Sequence, residues 1–257
     1  MVGAITGDIA GSIYERHNIK TKDFPLFGKG CSFTDDTVMT IAVAEGLMNG
    51  GAPGDFVNAM RRLGRMYPNA GYGSSFRNWL FTDDPKPYKS WGNGSAMRAS
   101  PVGWFFATLE MTENAAETSA AVTHNHPEGI KGAQAAASAI FLARNNTPKK
   151  EIKSYIENRY GYDVSRSLDA IRSNYTFDVS CMGTVPEAII AFLESTGFED
   201  AIRSAISLGG DSDTLAAITG SIAEAAYGVP DEIRIKAVSL LDPPLLEVLH
   251  RWQGKIF

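Results

Sequence analysis

Two short runs crowd carboxylates in a way that invites chemistry: Thr34-Asp35-Asp36-Thr37 and Asp211-Ser212-Asp213-Thr214. Each opens a stretch that then turns apolar almost all round, from Val38 to Ala44 in the first case and from Leu215 to Ile218 in the second. The plain explanation is helix capping, because Thr, Ser and Asp are favoured N-caps and a carboxylate gains about 0.3 to 1 kcal/mol near a helix N-terminus. A cap needs one acceptor, however, and each run offers two carboxylates with flanking hydroxyls. Two such charges about 4 Å apart repel by about 4 kcal/mol at an effective dielectric of 20, so crowding them calls for a cation. If the two runs meet, their carboxylates match the charge of two divalent ions. An oxygen-only set of that kind suits Mg²⁺ or Mn²⁺ better than Zn²⁺. Spacing alone does not bring the runs together. Local motifs fit less well: Ala216 and Ile222 stand where an EF-hand loop starting at Asp211 needs Gly and Glu. Gly209-Gly210, rather than an apolar strand, precedes Asp211, which counts against a haloacid-dehalogenase-type phosphotransfer motif.

The elements that must position these residues read as helices. Apolar residues recur at helical spacing over 36–48, 55–66, 113–123, 128–144, 149–158, 164–172, 184–195, 198–206 and 213–227, while alternating runs that would mark strands are nearly absent. The fold class is therefore all-α. Gly and Pro clusters at 49–54, 68–73, 83–87 and 91–94 supply loops, none polar or long enough for an interdomain linker. At 257 residues, a single domain over 1–257 is expected, since compact cores are common up to roughly 250 to 300 residues. A helix apolar on every face belongs in the core, which puts both acidic starts at buried or half-buried helix ends.

Composition narrows the function classes. The chain is 44% hydrophobic with a formal charge of -5 and no long basic run, which argues against a nucleic-acid surface. Cys31 and Cys181 are too few for a disulfide framework and read as packing residues, so a reducing cytoplasm is the expected compartment. The start carries no basic n-region or apolar h-region, and no stretch approaches the roughly 20 apolar residues of a membrane span. A monomer is the expected state. Gly92-Asn93-Gly94-Ser95 is rich in turn formers, and its glycines would let backbone N–H groups approach an anion closely. His124 and His126 are two apart, a poor spacing for co-ligands on a helix, so no zinc site is implied.

These runs, taken in order, resemble the ADP-ribosylglycohydrolase family. The resemblance rests on Gly7-Asp8 to Tyr14-Glu15, Phe33-Thr34-Asp35-Asp36-Thr37, Gly92 to Arg98, Thr123-His124-Asn125-His126-Pro127, and Gly209 to Thr214. Five motifs in the family's order form a specific signal over nearly the whole chain. The resemblance implies a compact orthogonal multi-helix bundle and a metal-dependent hydrolase that cleaves the glycosidic bond between ADP-ribose and an acceptor on a protein or small molecule. It makes Thr34, Asp35, Asp36, Asp211, Asp213 and Thr214 metal ligands, with Asp213 the favoured bridge. Glu15, Asp35 and Asp36 become the catalytic carboxylates, with Glu15 gating entry or handling a proton and Asp36 the rival base. Asn93, Gly94, Ser95 and His126 become substrate-binding, His126 in preference to His124. The segments 16–31 and 66–92 would rim the pocket; Tyr72, Phe76, Tyr88 and Trp91 are candidates to stack on adenine, none of them singled out. The same carboxylates would also serve a metal-dependent phosphoester or nucleotide hydrolase, and a binding module without turnover keeps the same pocket.

Overall fold

A computed structural model describes residues 1–256. Its elements are α1 (Val2–Gly11), α2 (Asp35–Met48), α3 (Pro53–Met66), α4 (Ser74–Phe81), a 3₁₀ turn (Asn93–Ser95), α5 (Ser100–Phe105), α6 (Leu109–Ala121), α7 (Pro127–Arg144) and α8 (Lys149–Tyr160). There follow α9 (Leu168–Arg172), α10 (Cys181–Glu194), α11 (Phe198–Ile206), α12 (Ser212–Tyr227), α13 (Asp231–Val238) and α14 (Pro243–Ile256). No strand occurs among the described residues; Gly92 and Ser180 form an isolated antiparallel bridge. No described helix is long and apolar enough to cross a membrane. The all-α expectation holds, and one buried apolar cluster runs from Met1 to Trp252.

At its centre α1 packs along α12, the most extensive helix pair in the structure. Gly3, Gly7 and Gly11 recur every fourth residue and so form one face of α1. A Cβ on Gly3 would stand 2.1 Å from the Gly220 carbonyl oxygen, and one on Gly7 would stand 2.0 Å from that of Ala216. The two backbones touch because these side chains are absent. Around this pair, α7, α10 and α11 pack on α12, while α2 packs against α3, α5 and α14. Every residue of α2 from Asp36 to Leu47 is buried, as is every residue of α12 from Ser212 to Ala223.

Five helices fall outside the expected stretches: α1, α4, α5, α13 and α14. Helix α1 is buried on all sides, so it shows no polar face and no period to detect. Helix α14 does carry a readable stripe, with Leu245, Val248, Leu249 and Trp252 buried. Elsewhere the expected span 164–172 shortens to Leu168–Arg172, because Val164 faces the core from irregular chain. Helix α6 starts earlier than expected, where the Thr108 hydroxyl accepts from the Met111 N–H.

Candidate active site

Three helix ends converge. Asp8 lies in the last turn of α1, Asp35 and Asp36 open α2, and Asp211 and Asp213 open α12. The two acidic runs meet directly: the Thr214 hydroxyl donates to Asp36 Oδ2 at 3.1 Å. Asp8, Asp36 and Asp213 are buried and each offers a carboxylate oxygen within 4.8 Å of the others. Asp8 is the residue that sequence reasoning quoted but did not assign. Its available signal is a lone acid inside the apolar run Val2–Ala10.

Asp8 also resolves the capping question. It accepts from the Thr34 hydroxyl (2.6 Å), the Thr34 N–H (2.9 Å) and the Thr37 N–H (3.0 Å), so α2 is capped from another helix. Thr34 caps it as well, accepting from the Asp36 N–H. The carboxylates of Asp35 and Asp36 are thereby free of capping duty, and Asp36 Oδ1 is buried without a hydrogen-bond partner.

Burial, then mutual repulsion, raises these groups. Asp35 is pushed up to about 8 by burial first and then by Asp8. Asp36 rises well above the carboxylate range through burial, Asp8 and Asp35; Asp213 does so through burial, Asp36 and Asp211. Asp8 and Asp211 are raised by burial, offset in part by hydrogen bonds from Thr34 to the first and from Asp213 and Asn93 to the second. With no cation bound, the folded chain holds more protons than the unfolded one between about pH 4 and 8, so its stability falls as pH rises. In EDTA the melting temperature is expected to be at least about 5 °C lower at pH 8 than at pH 6. Mn²⁺ should restore it at pH 8 and have a smaller effect at pH 6, where protons compete. A flat or rising profile in a thermal scan would refute the crowding.

Asp35, Asp36, Asp211 and Asp213 form the floor of a cavity of about 650 Å³, while Asp8 is fully buried and lies outside its lining. Glu15 lines it from the turn after α1, half-buried, with its carboxyl raised by burial and then by Asp211. Segments 16–31 and 66–92 both contribute, through Gly30 and through 69–71 and 73–76 with Tyr88 and Ser90. Of the aromatic candidates, Phe76 and Tyr88 line the cavity, whereas Tyr72 and Trp91 do not.

Another part of the lining is Gly92, Asn93 and Gly94 with Arg98 and His124. Asn93 turns inward, its Nδ2 donating to Asp211 Oδ2 at 2.7 Å and to Thr184 Oγ1 at 3.0 Å, so its amide orients a carboxylate of the floor. The Ser95 side chain is fully buried and donates to the Gly129 carbonyl; it lies behind the cavity wall, where Gly94 is exposed to the cavity. His126 also lies outside the lining. It caps α7, its Nδ1 accepting from the Glu128 N–H at 3.1 Å. The histidine that reaches the cavity is His124, because the chain turns between the end of α6 and Pro127 and aims the two rings differently.

Arg98 is fully buried and is the only Lys or Arg among the lining residues. It donates to the Ser119 carbonyl and, at 2.8 Å, to Thr123 Oγ1, which in turn lies 2.7 Å from His124 Nδ1. If the Thr123 proton goes to Nδ1, the remaining ring proton sits on Nε2, on the side that faces Gly94. Burial and then the Arg98 charge hold His124 well below its ordinary range, hence neutral near pH 7. The cavity lining therefore combines an acidic cluster with donors and a buried cation. His124→Ala is expected to weaken ADP-ribose binding about tenfold, or about 1.4 kcal/mol. His126→Ala should leave binding alone and cost about 1 kcal/mol of stability as a lost cap. Calorimetric titration and denaturant melts of both variants separate the two, and the reverse pattern would reassign the histidines.

Comparison with known proteins gives the family. The family model described as ADP-ribosylglycohydrolase matches residues 1–250. The chain belongs to that family. Among its relatives is the ADP-ribosylarginine hydrolase Tri1 of Pseudomonas putida (strain GB-1), 31% identical, with the match covering 89% of this chain and 70% of that protein. Another is the ADP-ribosylhydrolase ARH3 of Homo sapiens, 27% identical over 89% of this chain and 84% of that protein. A solved structure titled ADP-ribosylglycohydrolase-related protein complex shares the fold, with a TM-score of 0.74, 23% identity, and coverage of 99% of this chain and 95% of that one. The family's fold is thus the helical assembly described above.

Proposed function

We propose that this chain hydrolyses the glycosidic bond between ADP-ribose and an acceptor, an arginine, a serine or a small molecule, and so reverses ADP-ribosylation with the help of two divalent cations, Mg²⁺ or Mn²⁺. The observation that carries this reading is the convergence of Asp35, Asp36, Asp211 and Asp213 on one cavity, backed by the fully buried Asp8 and joined in the lining by Gly94, His124 and Arg98. Membership of the family, with relatives named for hydrolysis of ADP-ribosylated substrates, supports the substrate class.

The donor set fits a hard cation. It is all oxygen, its carboxylates are raised by one another's charge, and Asp36 Oδ1 has no partner in the protein. The five aspartates would hold the ions together with Thr34 and Thr214, whose hydroxyls give their protons to Asp8 and Asp36 and keep lone pairs. Divalent ions bound there would lower the pKa of a water molecule and orient the sugar hydroxyls. Glu15, whose carboxyl is raised by burial and then by Asp211, lines the cavity where it could pass a proton to the departing group or take one from the attacking water. The carboxylates around it favour the positive charge of an oxocarbenium-like transition state. Across the cavity, Arg98 and the His124 ring favour the anionic diphosphate, and Asn93 keeps Asp211 turned to the floor.

The test is release of free ADP-ribose from ADP-ribosyl-arginine and ADP-ribosyl-serine peptides, with Mg²⁺ or Mn²⁺ and with EDTA. Release that stops in EDTA supports the reading, and the preferred peptide names the acceptor. Phosphate or mononucleotide as product would replace it with a phosphoester hydrolase. Tight binding without release would leave a binding module.

A further inference from the structure

Glu15 sits in the turn after α1, and Asp211 follows the Gly209-Gly210 turn, so neither carboxylate is held by a helix interior. One side chain outside the cavity lining joins the two turns. Asn18 Nδ2 donates to the carbonyls of Tyr14 (2.7 Å), Glu15 (2.9 Å) and Gly210 (3.0 Å), and Asn18 Oδ1 accepts from the Gly210 N–H at 2.8 Å. The amide thus engages both polar groups of one residue 192 positions away while gripping the turn that carries Glu15. A residue that merely capped its own turn would make only the first two of these contacts.

The neighbours make the grip close. Lys20 Nζ donates to the carbonyls of Leu208 and Tyr175, tying the same segment to both sides of the turn. Gly209 and Gly210 both have φ of +71°, a conformation that favours glycine. A Cβ on Gly209 would stand 3.3 Å from Asn18 Cβ, so the segment lies directly against the turn.

We propose that Asn18 is a positioning residue: it clasps the Glu15 turn to the Gly209-Gly210 turn and so fixes the Glu15 and Asp211 carboxylates relative to one another across the cavity floor. The proposal rests on reading that floor as a cation-dependent hydrolytic site. Its action is indirect, because Asn18 touches neither carboxylate and does not line the cavity. Loss of the clasp removes the side-chain bridge between the two turns, leaving Asp211 to its bond from Asn93 and the Glu15 turn to its local bonds.

The full chain, Asn18→Ala, Glu15→Gln and the double variant are compared by Mn²⁺ titration calorimetry, by turnover of an ADP-ribosyl peptide at saturating Mn²⁺, and by hydrogen exchange at the Gly210 amide. Asn18→Ala is expected to weaken Mn²⁺ binding about tenfold or more, the scale of an outer-shell partner, and to lower kcat about tenfold or more. In the Glu15→Gln background, at saturating Mn²⁺, the same change should lower kcat by less than about threefold, since one of the two carboxylates it positions is already gone and the Asp211 half is read in the Mn²⁺ affinity. Equal kcat losses in both backgrounds with Mn²⁺ affinity unchanged would reduce Asn18 to a general structural role and overturn the proposal. So would an Asn18→Ala variant with affinity and turnover both within about twofold of the parent. If the parent chain neither binds Mn²⁺ nor releases ADP-ribose, the reading of the floor fails, and Gly210 exchange decides the clasp by itself. Exchange about tenfold faster in Asn18→Ala upholds it, and unchanged exchange removes it.

Discussion

Asp213→Asn is expected to lower turnover about 10³-fold while raising the melting temperature of the metal-free chain at pH 8. The two effects have one origin. Asp213 is 5% exposed, and burial first, then the charges of Asp36, Asp211 and Asp8, raise its carboxyl well above the ordinary range. A cation turns that crowding into ligation, and losing one ligand forfeits several kcal/mol of charge stabilisation, at 1.36 kcal/mol per tenfold in rate. Without a cation the same carboxylate is a liability that the neutral amide removes. Asparagine keeps the shape and the oxygen that accepts from the Thr214 N–H. Turnover with saturating Mn²⁺ and thermal melts in EDTA measure the two halves. A rate loss under about tenfold would take Asp213 out of the cation site, and a lower melting temperature in EDTA would show that the carboxylates do not repel as described.

Gly7→Val is expected to destabilise the chain by at least about 3 kcal/mol, the upper range for overpacking a close-fitted core. Any Cβ at this position would meet the Ala216 carbonyl oxygen at 2.0 Å, and that oxygen is backbone, so only a shift of α1 against α12 can make room. The shift acts on function as well, because α1 carries Asp8 and α12 carries Asp213. Mn²⁺ affinity should therefore fall along with stability in whatever fraction folds. Gly54→Ala is the control: it lies in the first turn of α3 with nothing within 4 Å of its added Cβ, and should change stability by about +0.4 to +1 kcal/mol. Urea denaturation of both variants gives the comparison. A Gly7→Val chain within about 1 kcal/mol of the parent would mean that the two helices tolerate separation.

Helix α3 shows what periodicity can deliver: its buried residues Phe56, Ala59, Met60, Leu63 and Gly64 form one face, and the expected span 55–66 lies within Pro53–Met66. The wholly buried helices split. Helices α2 and α12 were legible because long apolar stretches follow marked polar starts, whereas α1 has Gly every fourth residue and no stripe. The same limit hid Asp8, which reads as an oddity in an apolar run until α2 is placed over it. His124 and His126 show the limit at single-residue scale. Both lie in one short polar segment, and only the turn between α6 and α7 decides which ring reaches the cavity and which caps a helix. Asn93 and Ser95 belong to a recognisable loop, yet one side chain turns to Asp211 and the other away behind the wall.

The sequence by itself determined the helical class, the two acidic helix starts, the oxygen-only donor chemistry and the resemblance to the family, because these depend on residue type and near-neighbour spacing. Only the tertiary structure decided that the acidic starts meet, that Asp8 joins them and caps α2 from outside, that Arg98 is buried in the cavity lining, and that Asn18 bridges two turns. Each of these is a contact between residues distant in the chain. Such contacts are set by how closely α1 and α12 approach and by where the loops fold back, which local periodicity does not encode.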